Sequence, residues 1–139
     1  MAIQFKVDIS GTEALLKALL VSGEELTREV GRVLYYEATQ VFDRSQDIVP
    51  IDTGALRSSG VVDQPAVEGN EIFVAIRYGG AAAPYAAVVH ENLEAYHAPP
   101  TQAKYLEQPL VERLDEISDG LTAVVGRAIL PETLETEGD

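Results

Sequence analysis

Apolar and polar residues alternate through Ile3-Gln4-Phe5-Lys6-Val7-Asp8-Ile9, which predicts a half-buried strand with Ile3, Phe5, Val7 and Ile9 on its apolar side. The period then changes. Ser10 and Glu13 stand at capping-box spacing and open a short helix through Leu15, Leu16, Leu19 and Leu20; Ser22 and Glu25 repeat the device around a break at Gly23. From about Glu24 to about Ile48, Leu26, Val30, Val33, Leu34, Ala38, Val41, Phe42 and Ser45 recur at three- and four-residue steps. That spacing predicts a second helix roughly 37 Å long. Glu24, Glu25, Glu29, Glu37, Asp43 and Asp47 are expected to line much of its outer side.

Pro50 lacks a backbone donor and biases Val49 away from helical torsions, so the long helix should end there. Asp52 or Thr53 is expected to cap a short helical turn over Gly54 to Ser58, with Leu56 as its buried anchor and Arg57 as an exposed or paired head. The runs Gly60 to Val67 and Glu71 to Tyr78 flank Glu68-Gly69-Asn70 and read as a β-hairpin, with Pro65 pushing the first strand toward an edge or a bulge. Gly79 to Ala83 is small and flexible in composition. Pro84 suits the first turn of a short helix through about Asn92. A final helix from about Thr101 to about Leu130 carries Leu106, Leu110, Leu114, Ile117, Leu121, Val124 and Ala128 at near-heptad spacing, with Val111, Val125 and Ile129 widening the stripe. Gly120 and Gly126 are candidate kinks within it.

These elements predict one α+β domain over residues 1–130: a three- to four-stranded, mainly antiparallel sheet packed against two long helices, followed by an acidic disordered tail at 131–139. A chain of 139 residues is long enough to bury a core without staples. It contains no cysteine, which removes disulfides and thiolate metal sites. No apolar run approaches the roughly 20 residues that span a bilayer, and no secretory leader pattern opens the chain, so synthesis in a host cytoplasm and no membrane partner are expected.

Charge narrows the function classes. With 23 acidic against 10 basic residues the formal charge is −13, which disfavours a surface that grips nucleic acid through clustered Lys and Arg. Such a surface is compatible with DNA sliding past without sticking. His90, Glu91, Glu94 and His97 form the one cluster with metal-ligand chemistry, and a small metal-dependent hydrolase is the alternative reading they support. The likeness to His-Glu-x-x-His is incomplete, since Glu94 occupies the place of the second His. Polar or inter-subunit contacts explain both histidines with less machinery. No nucleophile elbow, phosphate-cradling loop or dinucleotide fingerprint is present, and no cofactor or catalytic residue is expected.

Three segments carry a resemblance. Val49-Pro50-Ile51-Asp52-Thr53-Gly54-Ala55-Leu56-Arg57-Ser58-Ser59, then Tyr85-Ala86-Ala87-Val88-Val89-His90-Glu91, then Lys104-Tyr105-Leu106-Glu107-Gln108-Pro109-Leu110 follow the long helix in that order. With Gly11 to Leu16 upstream, this order resembles the tail-completion or head-tail joining proteins of long-tailed phages, a group that includes minor capsid and tail components. The resemblance spans about residues 1 to 130. It implies an α+β subunit without catalytic activity that closes into a homo-oligomeric ring, expected to be a hexamer, at the neck of the virion. Its implied partners are the head connector or stopper, the tail terminator and the tail tube, with the genome passing through the ring. The family commonly continues the Tyr-Ala segment with Glu-Phe-Gly-Thr; His90-Glu91-Asn92-Leu93-Glu94 stands there in this chain and implies the minor capsid subgroup.

Overall fold

The computed structural model describes residues 2–8, 23–51, 54–69, 71–80, 83–93 and 99–129. The expected first helix over Ser10 to Leu20, the capping residues Asp52 and Thr53, the pair Glu94 and His97, and the acidic tail lie outside the described residues. In chain order the elements are β1 (Ala2–Asp8), α1 (Gly23–Ile48), α2 (Ala55–Ser58), β2 (Val61–Val62), β3 (Ala66–Glu68), β4 (Glu71–Arg77), α3 (Ala86–Glu91), α4 (Glu107–Glu112) and α5 (Leu114–Ile129). The class is α+β, as the periodicities predict.

β4 is the centre of the sheet. β1 pairs with it antiparallel along its whole length, from Ala2 opposite Arg77 to Asp8 opposite Glu71. β2 and β3 share its other side in two registers: Val62 faces Ile76, whereas Ala66 faces Phe73. Three residues, Asp63 to Pro65, therefore oppose the two residues Val74 and Ala75, and the extra residue makes a β-bulge. Pro65 stands in that bulge on an edge strand, where its missing amide costs no ladder bond. The Asp63 amide still donates to the Ala75 carbonyl at 2.9 Å, so the interruption is local.

α1 dominates the helical layer, 26 residues and about 39 Å long. Leu26, Val30, Leu34, Ala38, Val41, Ser45 and Ile48 form its buried stripe and pack on Ile72, Val74 and Ile76, the fully buried face of β4. Burying each such large aliphatic side chain contributes about 1.5–3 kcal/mol before the entropy of ordering is subtracted. The helix ends as predicted: the Val49 amide donates to the Ser45 carbonyl at 2.8 Å, and Pro50 has no amide with which to continue.

The C-terminal helical stretch departs from the sequence reading. A helix running on from Thr101 would place Pro109 in its interior, against the carbonyl of Tyr105, so the regular helix starts instead at Glu107 and keeps Pro109 in its first turn. It then breaks. Arg113 adopts φ −108 and ψ 7, its amide donates to the Leu110 carbonyl three residues back, and α5 begins afresh at Leu114. The break puts the heptad stripe out of phase: Ile117 and Val124 are buried against α1, while Leu114 and Val111 are exposed. Gly120 does not kink α5; a Cβ there would lie 3.0 Å from Val33 of α1, so its missing side chain lets the two helices approach.

Candidate functional site: a buried polar and aromatic junction

The three segments that carry the resemblance lie far apart in sequence and meet beside the C-terminal end of α1. The bend after Pro50 supplies the first wall. Gly54 occupies the N-cap position of α2 in the left-handed region at φ 84, where a Cβ would be strained. Leu56 is buried beneath this turn and Arg57 is exposed above it. Ser59 closes the turn, its hydroxyl donating to the Leu56 carbonyl at 2.6 Å and accepting from the Gly79 amide at 2.9 Å. At Gly60 the chain passes so close to the core that a Cβ would lie 2.7 Å from the Phe42 ring and 2.8 Å from the Tyr78 ring.

Aromatic rings fill the centre. Phe42 and Tyr78 are tilted at 5.9 Å, Tyr105 meets Tyr78 edge-on at 5.2 Å, and His90 meets Tyr105 edge-on at 4.9 Å. Edge-to-face pairs at these separations add about 0.5–1.5 kcal/mol each beyond the area they bury. The Tyr78 hydroxyl lies 2.9 Å from Ser45 Oγ and accepts from Gln46 Nε2 at 2.8 Å; the same amide nitrogen donates to the Arg57 carbonyl at 3.2 Å. The Tyr105 hydroxyl donates to the Ala86 carbonyl at 2.7 Å. Burial pushes both phenols above their ordinary value of 10.0, with hydrogen bonds from Ser45 and Gln46 acting in the opposite direction at Tyr78.

His90 is the fourth ring of this cluster, with only 3% of its surface exposed. Its Nε2 accepts from the Glu107 main-chain amide at 3.2 Å, which fixes the ring proton on Nδ1, 2.8 Å from Glu91 Oε1. Both ring nitrogens are engaged. The Nε2 lone pair that would reach a metal ion points at a backbone donor. Among the described residues no group of three or more His, Asp or Glu side chains is placed to hold a metal ion.

A charged rim closes the outside of the junction. Lys104 bonds Glu91 and lies 3.2 Å from Glu107. The Lys104 ammonium, then His90, hold the Glu91 carboxyl below its ordinary range, and the Glu91 carboxylate in turn raises Lys104. Lys104 adopts φ 56, uncommon for a residue with a Cβ, and its amide donates to the His90 carbonyl at 2.7 Å. The last turn of α1 is tied in from the same segment: the Gln102 amide donates to the Ile48 carbonyl at 2.8 Å, satisfying an acceptor that the helix leaves open.

Of the residues singled out in the sequence, Leu56, Ala86, His90, Leu106 and Pro109 are buried, Pro50 and Leu110 are half-buried, and Arg57, Tyr85 and Glu91 are exposed. Tyr78 and Tyr105 belong to the junction as buried packing residues. They give no periodic signal because their partners are 32 to 33 and 19 residues away. Glu37 corrects an expectation outright: it is buried on α1, not on the outer side, and bonds Arg113 at the break between α4 and α5. The guanidinium is raised above its ordinary value by that carboxylate and lies 6.0 Å from the Tyr36 ring.

Among the described residues no helix is long and apolar enough to cross a membrane. No protein-family model, curated protein or solved structure matches the chain.

Proposed function

We propose that the chain is a structural component of a tailed virus particle, a ring-forming subunit at the neck that joins head to tail and carries no bond-making chemistry. The observation that carries this reading is the junction. The three segments of the family-like pattern are the segments that converge there, and the side chains with acid–base potential are engaged in holding main-chain elements together. A buried His90 with both nitrogens bonded, and a Tyr105 hydroxyl given to a carbonyl, are what a corner that must keep its shape requires. The acidic balance fits a wall that DNA passes without adhering, since a charge of −13 repels phosphate at long range.

Electron microscopy of tailed particles assembled from the genome that encodes the chain tests the proposal. The expected result is density for this fold in a ring between the portal and the tail tube. Particles complete in both head and tail whose neck contains no such subunit would remove it.

A further inference from the structure

Leu93, Val88 and Val111 are the three most exposed large apolar side chains among the described residues, at 72%, 67% and 60%. All three lie on or beside α3 and α4, at the rim of the junction. On α3, Val88 precedes Glu91 by three residues; on α4, Glu107 precedes Val111 by four, so each carboxylate shares a helix face with a valine. Lys104 joins the two faces by pairing with Glu91 and Glu107, and the His90 bond to the Glu107 amide fixes their separation. The rim is thus a prepared surface, apolar shoulders around two carboxylates that share one ammonium. One negative charge is left over.

The bend after Pro50 offers the complement. Ile51 is 53% exposed, Arg57 is exposed, and among the described residues no carboxylate pairs with the Arg57 guanidinium. We infer that the Ile51 and Arg57 corner of one copy seats on the Val88, Leu93 and Val111 rim of the next, with the guanidinium over Glu91 and Glu107. The inference rests on the ring reading and names its contact surfaces. A guanidinium is suited to the place because its planar fork bonds carboxylate oxygens in pairs, which a second ammonium would not do. Because the two patches differ, they can meet head to tail, the heterologous contact that propagates around a closed ring. Both patches also hang on the same junction, the corner through Gln46 to the Arg57 carbonyl and the rim through Lys104 and Glu107 to His90. Their relative positions are therefore held rigidly, as ring closure demands.

Sedimentation velocity of the full chain over a wide concentration range tests the contact, with circular dichroism as the check on folding. Arg57→Glu and Val88→Asp change exposed side chains and are expected to weaken self-association at least about tenfold with an unchanged melting temperature. Glu107→Arg should weaken it likewise, and Arg57→Glu combined with Glu107→Arg should recover most of the loss. Wild-type oligomers whose dissociation is unaltered by Arg57→Glu and by Val88→Asp would overturn the contact and leave the ring reading standing. A wild-type chain that stays monomeric up to millimolar concentration would overturn both.

Discussion

Tyr105→Phe isolates the bond at the heart of the junction. The ring is fully buried between Tyr78 and His90, and phenylalanine keeps both edge-on contacts while deleting only the hydroxyl that donates to the Ala86 carbonyl at 2.7 Å. A buried carbonyl stripped of its donor costs about 1–3 kcal/mol. Replacing a phenol by a more apolar ring returns part of that, so a net loss of about 1–2 kcal/mol is expected. For a chain of this length that corresponds to a fall in Tm of roughly 3–8 °C near neutral pH. Scanning calorimetry reads it directly.

The same substitution has a second signature in alkali. Burial raises Tyr105 and Tyr78 above 10.0, so the folded state holds phenolic protons that the unfolded chain has already released. Their contribution is fully present below the unfolded value and is lost as pH climbs past 10.0 toward the higher folded values. Tyr105→Phe removes one of the two groups. Its Tm should therefore decline less steeply than that of the wild type between about pH 9 and about pH 11. Equal melting temperatures near neutral pH together with parallel alkaline declines would refute the argument that this hydroxyl is a buried, bonded group.

Three further changes probe the surrounding supports. Gly60→Ala drives a Cβ to within 3.0 Å of Phe42, Tyr78 and Gln46 and is expected to destabilise by about 1–3 kcal/mol, measured by urea unfolding; an unchanged midpoint would mean the corner is free to move away. Arg113→Met leaves the buried Glu37 carboxylate without its cation and is expected to cost about 1–3 kcal/mol, with Glu37→Gln in the same background restoring part of the loss in a double-mutant cycle. Glu91, held below 4.5 by Lys104 and then His90, contributes stability that is present above its unfolded value and lost as pH falls through the folded one. Glu91→Gln should accordingly flatten the decline of Tm between about pH 5 and about pH 3, and an acid limb identical to that of the wild type would count against the pairing.

Much of the fold is legible in the residues, because α1 and the sheet obey local rules. Leu26, Val30, Leu34, Ala38 and Val41 fall on one helical face whatever packs against it, and Pro50 ends the helix by removing a donor, without tertiary help. Pro65 in a run of strand residues announces the bulge for the same reason. The C-terminal stripe misled because heptad spacing from Leu106 to Leu114 assumes an unbroken helix, whereas the helix breaks at Arg113, whose partner Glu37 lies 76 residues earlier. Glu37 itself resembled any solvent-facing acid. Its burial is decided by a partner that no window of helix length contains, and the contacts of Tyr78, Tyr105 and His90 are long-range in the same way.

Long-range pairing also bears on what kind of site the junction is. General acid–base work needs a titratable group with an available lone pair or proton and room for a substrate beside it. Here the His90 Nε2 lone pair faces the Glu107 amide, its Nδ1 proton faces Glu91, and the Tyr105 proton faces the Ala86 carbonyl. Each of these bonds joins a side chain from one segment to another segment or to its charged rim. The His90 and Tyr105 bonds, with the main-chain bond from Lys104 to His90, register α3 against the stretch from Gln102 to Glu107, and the Gln102 amide registers that stretch against the end of α1. This cluster of His, Glu, Lys and Tyr therefore ties α3 to the stretch from Gln102 to Glu107. Under the proposed ring role, these bonds would hold the Arg57 corner and the rim of α3 and α4 at a constant angle.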